Sequence, residues 1–492
     1  MKHIIAIIFS LISITCFAQI SFLHAGMPGV FSPPSVLTLP DGGYIKIKKE
    51  NAKNKGRSWN SYTVIVTVFK YDKDFKLTNQ VQLPGANIYS GRYTELRKIG
   101  SKYWLIYLEG QDNDTVGDIK AIEINPATLA ITEPKVVAPS TLLNYTIKSA
   151  IRAYQLHFLT RSSLSDKYVC LYVRLAGNEF YISCLDENLN RKWSKKESIE
   201  FGGTEAGTGL CSLEVDDAGT VYFGYTVKSG PGYFIYSPAG KSVSKSVNLP
   251  EASAKEILFN TEKNTGKVYV YGTYKERDNC KGVFKGELNA KGEITSVIKT
   301  LFPPSVLEPL DKEGWANTRE KKYGIHPKFN AFLTTLDDGS VSVLAEFYLA
   351  IPASVNHAGS VLYARFNNSG ASFGRAPKYW AGYGFPEYIF DGEYEQGSYY
   401  YAYPYGSKMI LFYFDNPKNI SRDISLDAEV LKPSNQILIA AIVDPDGNIK
   451  RQVITPMPIN YLSTTGTTVP VGTIQIPLVI DNTDVLVNVN TQ

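Results

Sequence analysis

A recurring polar turn is the feature that most restricts the fold of this chain. Seven times an apolar run ends in a short polar turn and a second run follows. The turns are Tyr71-Asp72-Lys73-Asp74, Ile124-Asn125-Pro126, Leu185-Asp186-Glu187-Asn188, Tyr236-Ser237-Pro238-Ala239-Gly240, Leu288-Asn289-Ala290-Lys291-Gly292, Phe366-Asn367-Asn368-Ser369-Gly370 and Val443-Asp444-Pro445-Asp446-Gly447. They fall roughly 50–80 residues apart, the range of propeller-blade repeats and longer. A second turn precedes most of them, as at Asp41-Gly42-Gly43, Asp216-Asp217-Ala218-Gly219 and Asp337-Asp338-Gly339-Ser340. The runs between are β-branched or aromatic, such as Thr63-Val64-Ile65-Val66-Thr67-Val68 and Ile437-Leu438-Ile439-Ala440-Ala441-Ile442-Val443, which is strand composition.

Two hairpin turns per repeat mean about four strands per repeat. One such sheet cannot bury both faces alone, and radial stacking solves this while leaving short edges. The expected fold is all-β: a β-propeller of seven four-stranded blades, with the two sets of turns on alternating faces. Eight blades is the alternative, because Pro470–Val489 carries two further strands that could pair with one near Ile20–Phe22. A tandem of β-sandwiches is the third arrangement. No Pro/Ser linker divides the chain, so residues 19–492 are read as one domain.

The N-terminus carries a basic start at Lys2, an apolar run from Ile4 to Phe17, and Ala18-Gln19. This is the layout of a secretory signal peptide over residues 1–18. The run is short of the ~20 apolar residues that span a bilayer. Cys16 invites a lipid-anchor reading, but Ser13-Ile14-Thr15 before it fits that motif poorly. The expectation is cleavage after Ala18, a periplasmic or secreted location, and no transmembrane segment after signal removal. In such a compartment Cys170 and Cys184, flanking a hairpin at Ala176-Gly177-Asn178, stand as either a disulfide or two buried thiols.

The charge of +4 lacks a basic block, so nucleic acid is not an expected partner. No His-Glu-x-x-His motif or sialidase Asp box occurs, and Cys-x-x-Cys is absent. Asp444-Pro445-Asp446-Gly447-Asn448 faintly resembles a calcium loop but reads better as a type I turn. No metal and no cofactor are expected, and no catalytic residue is identified.

Aromatic residues make up 12% of the chain and crowd the stretch from Tyr379 to Tyr405. Rings on loops can stack on sugar or peptide faces, or pack between blades. Near this stretch stand Glu346, Arg375, Lys378, Trp380, Tyr383, Asp415 and Asn416, the ligand-binding candidates. They are expected to share one rim, since strand ends from neighbouring blades meet there. Turn chemistry is the plainer role for Asp415-Asn416-Pro417.

The Cys16-Phe17-Ala18-Gln19 export end, Ala345-Glu346-Phe347-Tyr348, Arg375-Ala376-Pro377-Lys378 and Phe414-Asp415-Asn416-Pro417-Lys418-Asn419 resemble exported, uncharacterised β-propeller proteins of the Bacteroidota. The resemblance implies a propeller in the envelope and brings no known activity with it. Two functions follow as expectations. One is a non-catalytic binding or scaffold propeller whose partner is a glycan, a peptide or an envelope protein. The alternative is a glycan-active hydrolase or lyase with carboxylates at the propeller axis, an analogy from fold.

Overall fold

Strand and turn follow one another almost without interruption. The computed structural model describes residues 36–490, apart from 52–62, 144–157, 199–209, 307–329, 421–436 and shorter stretches. The expected signal segment, residues 1–18, and Cys16 lie outside the described residues. Among the described residues, seven four-stranded antiparallel meanders succeed each other, over 36–82, 94–138, 158–198, 210–246, 253–301, 330–376 and 400–455. The first two are bridged by the two-residue strand Ile88–Tyr89, and the sixth gains a fifth strand, Trp380–Tyr383. The group 461–490 differs, with Tyr461–Leu462, Thr467–Thr468 and Thr483–Asn490 all pairing with Thr473–Ile480. Its strand order is therefore not that of an eighth meander.

Alternation along each strand explains how the sheets pack. In the second sheet Tyr103, Leu105 and Tyr107 face the first sheet, while Trp104, Ile106 and Leu108 face the third. Side chains of a strand point to opposite faces in turn, so a run apolar at every position suits a sheet covered on both sides. The third sheet sends Val169, Leu171 and Val173 back to the second, and Cys170 and Tyr172 forward to the fourth. Equivalent clusters join the fourth to the fifth, the fifth to the sixth and the sixth to the seventh. Six apolar interfaces thus link seven sheets face to face, in a propeller-like all-β row. The two end sheets also bury their second faces, through Tyr44 and Lys46 in the first and Ile410, Ala440 and Ile442 in the seventh. Each large apolar side chain so buried contributes roughly 1.5–3 kcal/mol.

The repeated turn has a local cause. Asp216 accepts the N–H groups of Ala218 at 2.9 Å and Thr220 at 2.8 Å. Asn289 does the same for Lys291 and Glu293, both at 2.9 Å. Gly219 follows with φ +79°, a left-handed conformation that glycine adopts without penalty. Asp444 to Asn448 also close a hairpin turn, through Asp444 N–H to Asn448 O at 2.9 Å.

The placement of the turns corrects one expectation. In an antiparallel meander the first-to-second and third-to-fourth turns lie at the same end of the sheet, so the two sets do not alternate between faces. At that end the connections are short. The strand ends on either side of 52–62, 144–157, 199–209, 307–329 and 421–436 all lie at the opposite end, between second and third strands or between successive sheets. The sheets therefore have a short-turn end and a loop end.

Candidate functional site

The first strand of each meander brings polar residues into an otherwise apolar interior. In Thr94–Ile99, Leu96 faces the first sheet, so alternation sends Glu95 and Arg97 the other way. There Thr160, on the third sheet's first strand Phe158–Ser162, donates its hydroxyl to Glu95 Oε2. Arg97 Nε donates to the same oxygen at 3.3 Å, and its Nη2 donates to the Thr160 carbonyl at 2.9 Å. The next residue, Arg161, points to the opposite face and donates from Nε to Glu214 Oε2 at 3.0 Å. Glu214 lies in Leu210–Val215, the first strand of the fourth sheet. On the same strand Ser212 Oγ accepts the Phe259 N–H at 2.9 Å, from Ser253–Thr261, the first strand of the fifth. Polar bonds thus stitch together the leading strands of four consecutive sheets.

Burial and charge are balanced here. Glu95 and Glu214 are 2% and 3% exposed, and a carboxylate taken out of water needs a partner. Each has an arginine, whose side chain keeps 21% (Arg97) or 33% (Arg161) of its surface open to solvent. Burial raises the Glu214 carboxyl above its ordinary value, against the pull of the Arg161 guanidinium. A carboxyl held up in this way can carry a proton at milder pH and act as a general acid. The two Nη groups of Arg161 have no bonding partner among the described residues, so they remain available to an oxygen-rich ligand.

The residues singled out from the sequence lie elsewhere. Glu346, in Val341–Leu349, stands between Asn330 and Val361 in the sixth sheet. Arg375 is half-buried opposite Leu362. Trp380 and Tyr383 pair with Ala358 and Val355. The side chains of Glu346, Trp380 and Tyr383, and the whole of Lys378, lie outside the described residues. Asp415 ends the strand Lys408–Asp415 of the seventh sheet. Asp415 and Asn416 are both buried. Asp415 Oδ1 accepts the Asn416 N–H at 2.7 Å, and Asn416 caps the short Pro417–Asn419 turn by accepting the Lys418 N–H at 3.0 Å. These bonds shape the turn. By topology the described candidates sit at the loop ends of the sixth and seventh sheets.

Sequence reading passed over Glu95, Arg97, Thr160, Arg161 and Glu214. The available signal was a lone glutamate inside an apolar strand, as in Ser212-Leu213-Glu214-Val215. Cys170 and Cys184 are directly opposed in the third sheet, and both are buried, with their sulfurs unjoined in this structure.

No protein-family model matches the chain, and no curated protein matches it. Solved structures similar to it include a functionally unknown protein from Desulfotomaculum acetoxidans, at 10% identity and TM-score 0.39, covering 82% of this chain and 95% of that one. A polysaccharide lyase is similar at 10% identity and TM-score 0.39, covering 97% of this chain and 100% of that one. An exo-β-1,3-galactanase from Phanerochaete chrysosporium is similar at 9% identity and TM-score 0.27, with 75% and 93% covered. Likeness of this degree assigns neither family nor activity, and it shows no link to the Bacteroidota.

Proposed function

We propose that this is an exported seven-bladed propeller that acts on a glycan, with Glu95 and Glu214 as its proton-transfer carboxyls. The ring reading is supported by the buried second faces of the first and seventh sheets, Tyr44 and Lys46 on one and Ile410 and Ile442 on the other. A row of sheets ending in solvent would leave those faces wet, whereas ring closure, or the 461–490 group whose Thr467–Thr468 contacts Val36–Thr38, covers them.

One observation carries the chemistry. Two nearly inaccessible glutamates sit on leading strands and are joined through the adjacent residues Thr160 and Arg161. In a propeller the leading strands line the axis. Glycoside cleavage needs one carboxyl to protonate the leaving oxygen and a second group to act on the other side of the bond. Glu214, raised by burial, suits the acid. Glu95 suits the base or stabilising role, and the solvent-side arginines suit the binding of sugar oxygens.

A non-catalytic binding role is the second reading. It is favoured by the gathering of Arg375, Trp380, Tyr383, Asp415 and Asn416 at the loop ends of two adjacent sheets, with no reacting group required. A depolymerisation screen over neutral and acidic glycans separates the two. New reducing ends or unsaturated products from the purified chain support the catalytic reading. Saturable binding of the same panel without any product supports the binding one.

A further inference from the structure

We propose that Cys170 and Cys184 close a cross-strand disulfide in the third sheet, directly behind the Arg161–Glu214 pair. The two are Cα partners where Tyr168–Arg174 pairs with Glu179–Asp186. The hairpin is closed by Leu175 N–H donating to Glu179 O at 2.9 Å, which makes those residues a hydrogen-bonded pair. Such pairs alternate with non-hydrogen-bonded ones along an antiparallel ladder. Hydrogen-bonded pairs therefore recur at Val173, Leu171 and Val169, which leaves Cys170 opposite Cys184 on a non-hydrogen-bonded pair. The other side of the strand agrees. Ser163 N–H donates to Tyr168 O at 2.8 Å, so the backbone groups of Tyr168 and Cys170 point toward the leading strand and away from Cys184.

Non-hydrogen-bonded partners have Cα atoms about 4.5 Å apart, with their side chains closest. A disulfide spans Cα separations of roughly 4.4–6.8 Å. Both side chains project into the same interface with the fourth sheet. Closing the bond therefore calls for rotation of side chains, with the strands already in place.

The step balances against an external disulfide. Each thiol loses a proton and one electron, the two sulfurs join, and the external disulfide is reduced to two thiols. Burial pushes the Cys184 thiol up to about 12 and the Cys170 thiol well above its ordinary value. The thiolate is the attacking form, so the packed interface suppresses exchange. The bond forms before the fourth sheet closes over it and then resists reductant in the folded state.

Its role is to position the leading strand. Arg161 is the partner of Cys170 on one side, and Trp193 is the partner of Cys184 on the other. Trp193 Nε1 in turn donates to Gly219 O in the fourth sheet at 3.2 Å. The row Arg161–Cys170–Cys184–Trp193 crosses the face that meets Glu214, and the disulfide fixes its two central members.

Peptide mapping of the full chain tests this. The protein is unfolded, reduced, refolded in a mixed glutathione buffer, then alkylated in denaturant and digested. The expected product is a peptide pair joined through Cys170 and Cys184, about 2 Da lighter than the two free peptides together. It should survive dithiothreitol in the native protein and vanish when denaturant is added. The oxidised chain should also melt higher than the reduced one, and Cys184→Ser should remove that difference. If Cys184→Ser does not fold, the map of the unchanged chain decides alone. Full alkylation of both cysteines, or a bond from either to Cys211 or Cys280, overturns the proposal.

Discussion

Arg161 Nε lies 3.0 Å from Glu214 Oε2 and ties the leading strand of the third sheet to that of the fourth. The carboxylate is buried while the guanidinium is one-third exposed. Arg161→Ala should therefore cost roughly 2–3 kcal/mol, below the ~3–5 kcal/mol of a wholly buried pair because solvent screens this one. Adding Glu214→Leu should recover much of that loss, since no unpaired charge is then left behind. Urea unfolding of both single variants and the double variant measures this. Additive losses would show that the two side chains are not coupled.

The packing of the second sheet makes a sharper demand. Leu105 and Ile106 are both fully buried, one against the first sheet and the other against the third. Leu105→Asp and Ile106→Asp should each abolish cooperative folding, because either places an unpaired carboxylate in a dry interface. In a β-sandwich one of two adjacent strand positions faces water. Tolerance of either variant, judged by circular dichroism and thermal melting, would therefore contradict face-to-face stacking on both sides.

This double burial is also why the fold was legible in the sequence. Runs such as Tyr103-Trp104-Leu105-Ile106-Tyr107-Leu108 are apolar without alternation, and Asx-Gly turns punctuate them at blade spacing. The polar strip was not legible. Thr160 and Arg161 are neighbours in sequence yet serve different interfaces, and their partners Glu95 and Glu214 are far away along the chain. No local spacing encodes a contact made only when successive sheets stack. The aromatic stretch drew attention through density alone. Asp415 and Asn416, chosen beside it, make turn bonds by the same short-range chemistry that made the hairpins readable.

One turn glycine is held by its neighbours as well as by its backbone. Gly447 has φ +87°, and a Cβ built on it would collide with the Phe373 carbonyl across the junction of the sixth and seventh sheets. Gly447→Ala should lose at least ~1 kcal/mol from the left-handed backbone alone, and more from the clash. Gly406, with φ +56° and open space around its Cβ position, isolates the backbone part, so Gly406→Ala should be the milder variant. Equal thermal midpoints for the two would contradict the close approach at Gly447.

Acid stability should depend on Asp217. Burial acts upward on its carboxyl, but the Ser165 and Ser163 hydroxyls and the Ser165 N–H outweigh it and hold it below the ordinary 3.8. The unfolded chain then binds more protons than the folded one just below that value. The stabilisation is present above it and is lost as pH falls through the lowered folded value. Asp217→Asn should therefore be less stable than the parent at neutral pH, and the gap should close on acidification below about pH 4. A gap that stays constant with pH would mean that this carboxylate is not linked to folding.

The most direct measurement is the rate of glycan cleavage by the parent chain and by Glu95→Gln and Glu214→Gln. The expected substrate is whichever glycan the depolymerisation screen finds cleaved. Glutamine keeps size and hydrogen-bonding capacity but cannot transfer the proton. Each variant should fold, hold its thermal midpoint within a few degrees, and lose ~10²–10⁴-fold in rate. The parent's rate should fall as pH rises through the raised Glu214 value. Parent-like rates in both glutamine variants, or no product from any glycan in the panel, would contradict the assignment of Glu95 and Glu214 as catalytic carboxyls.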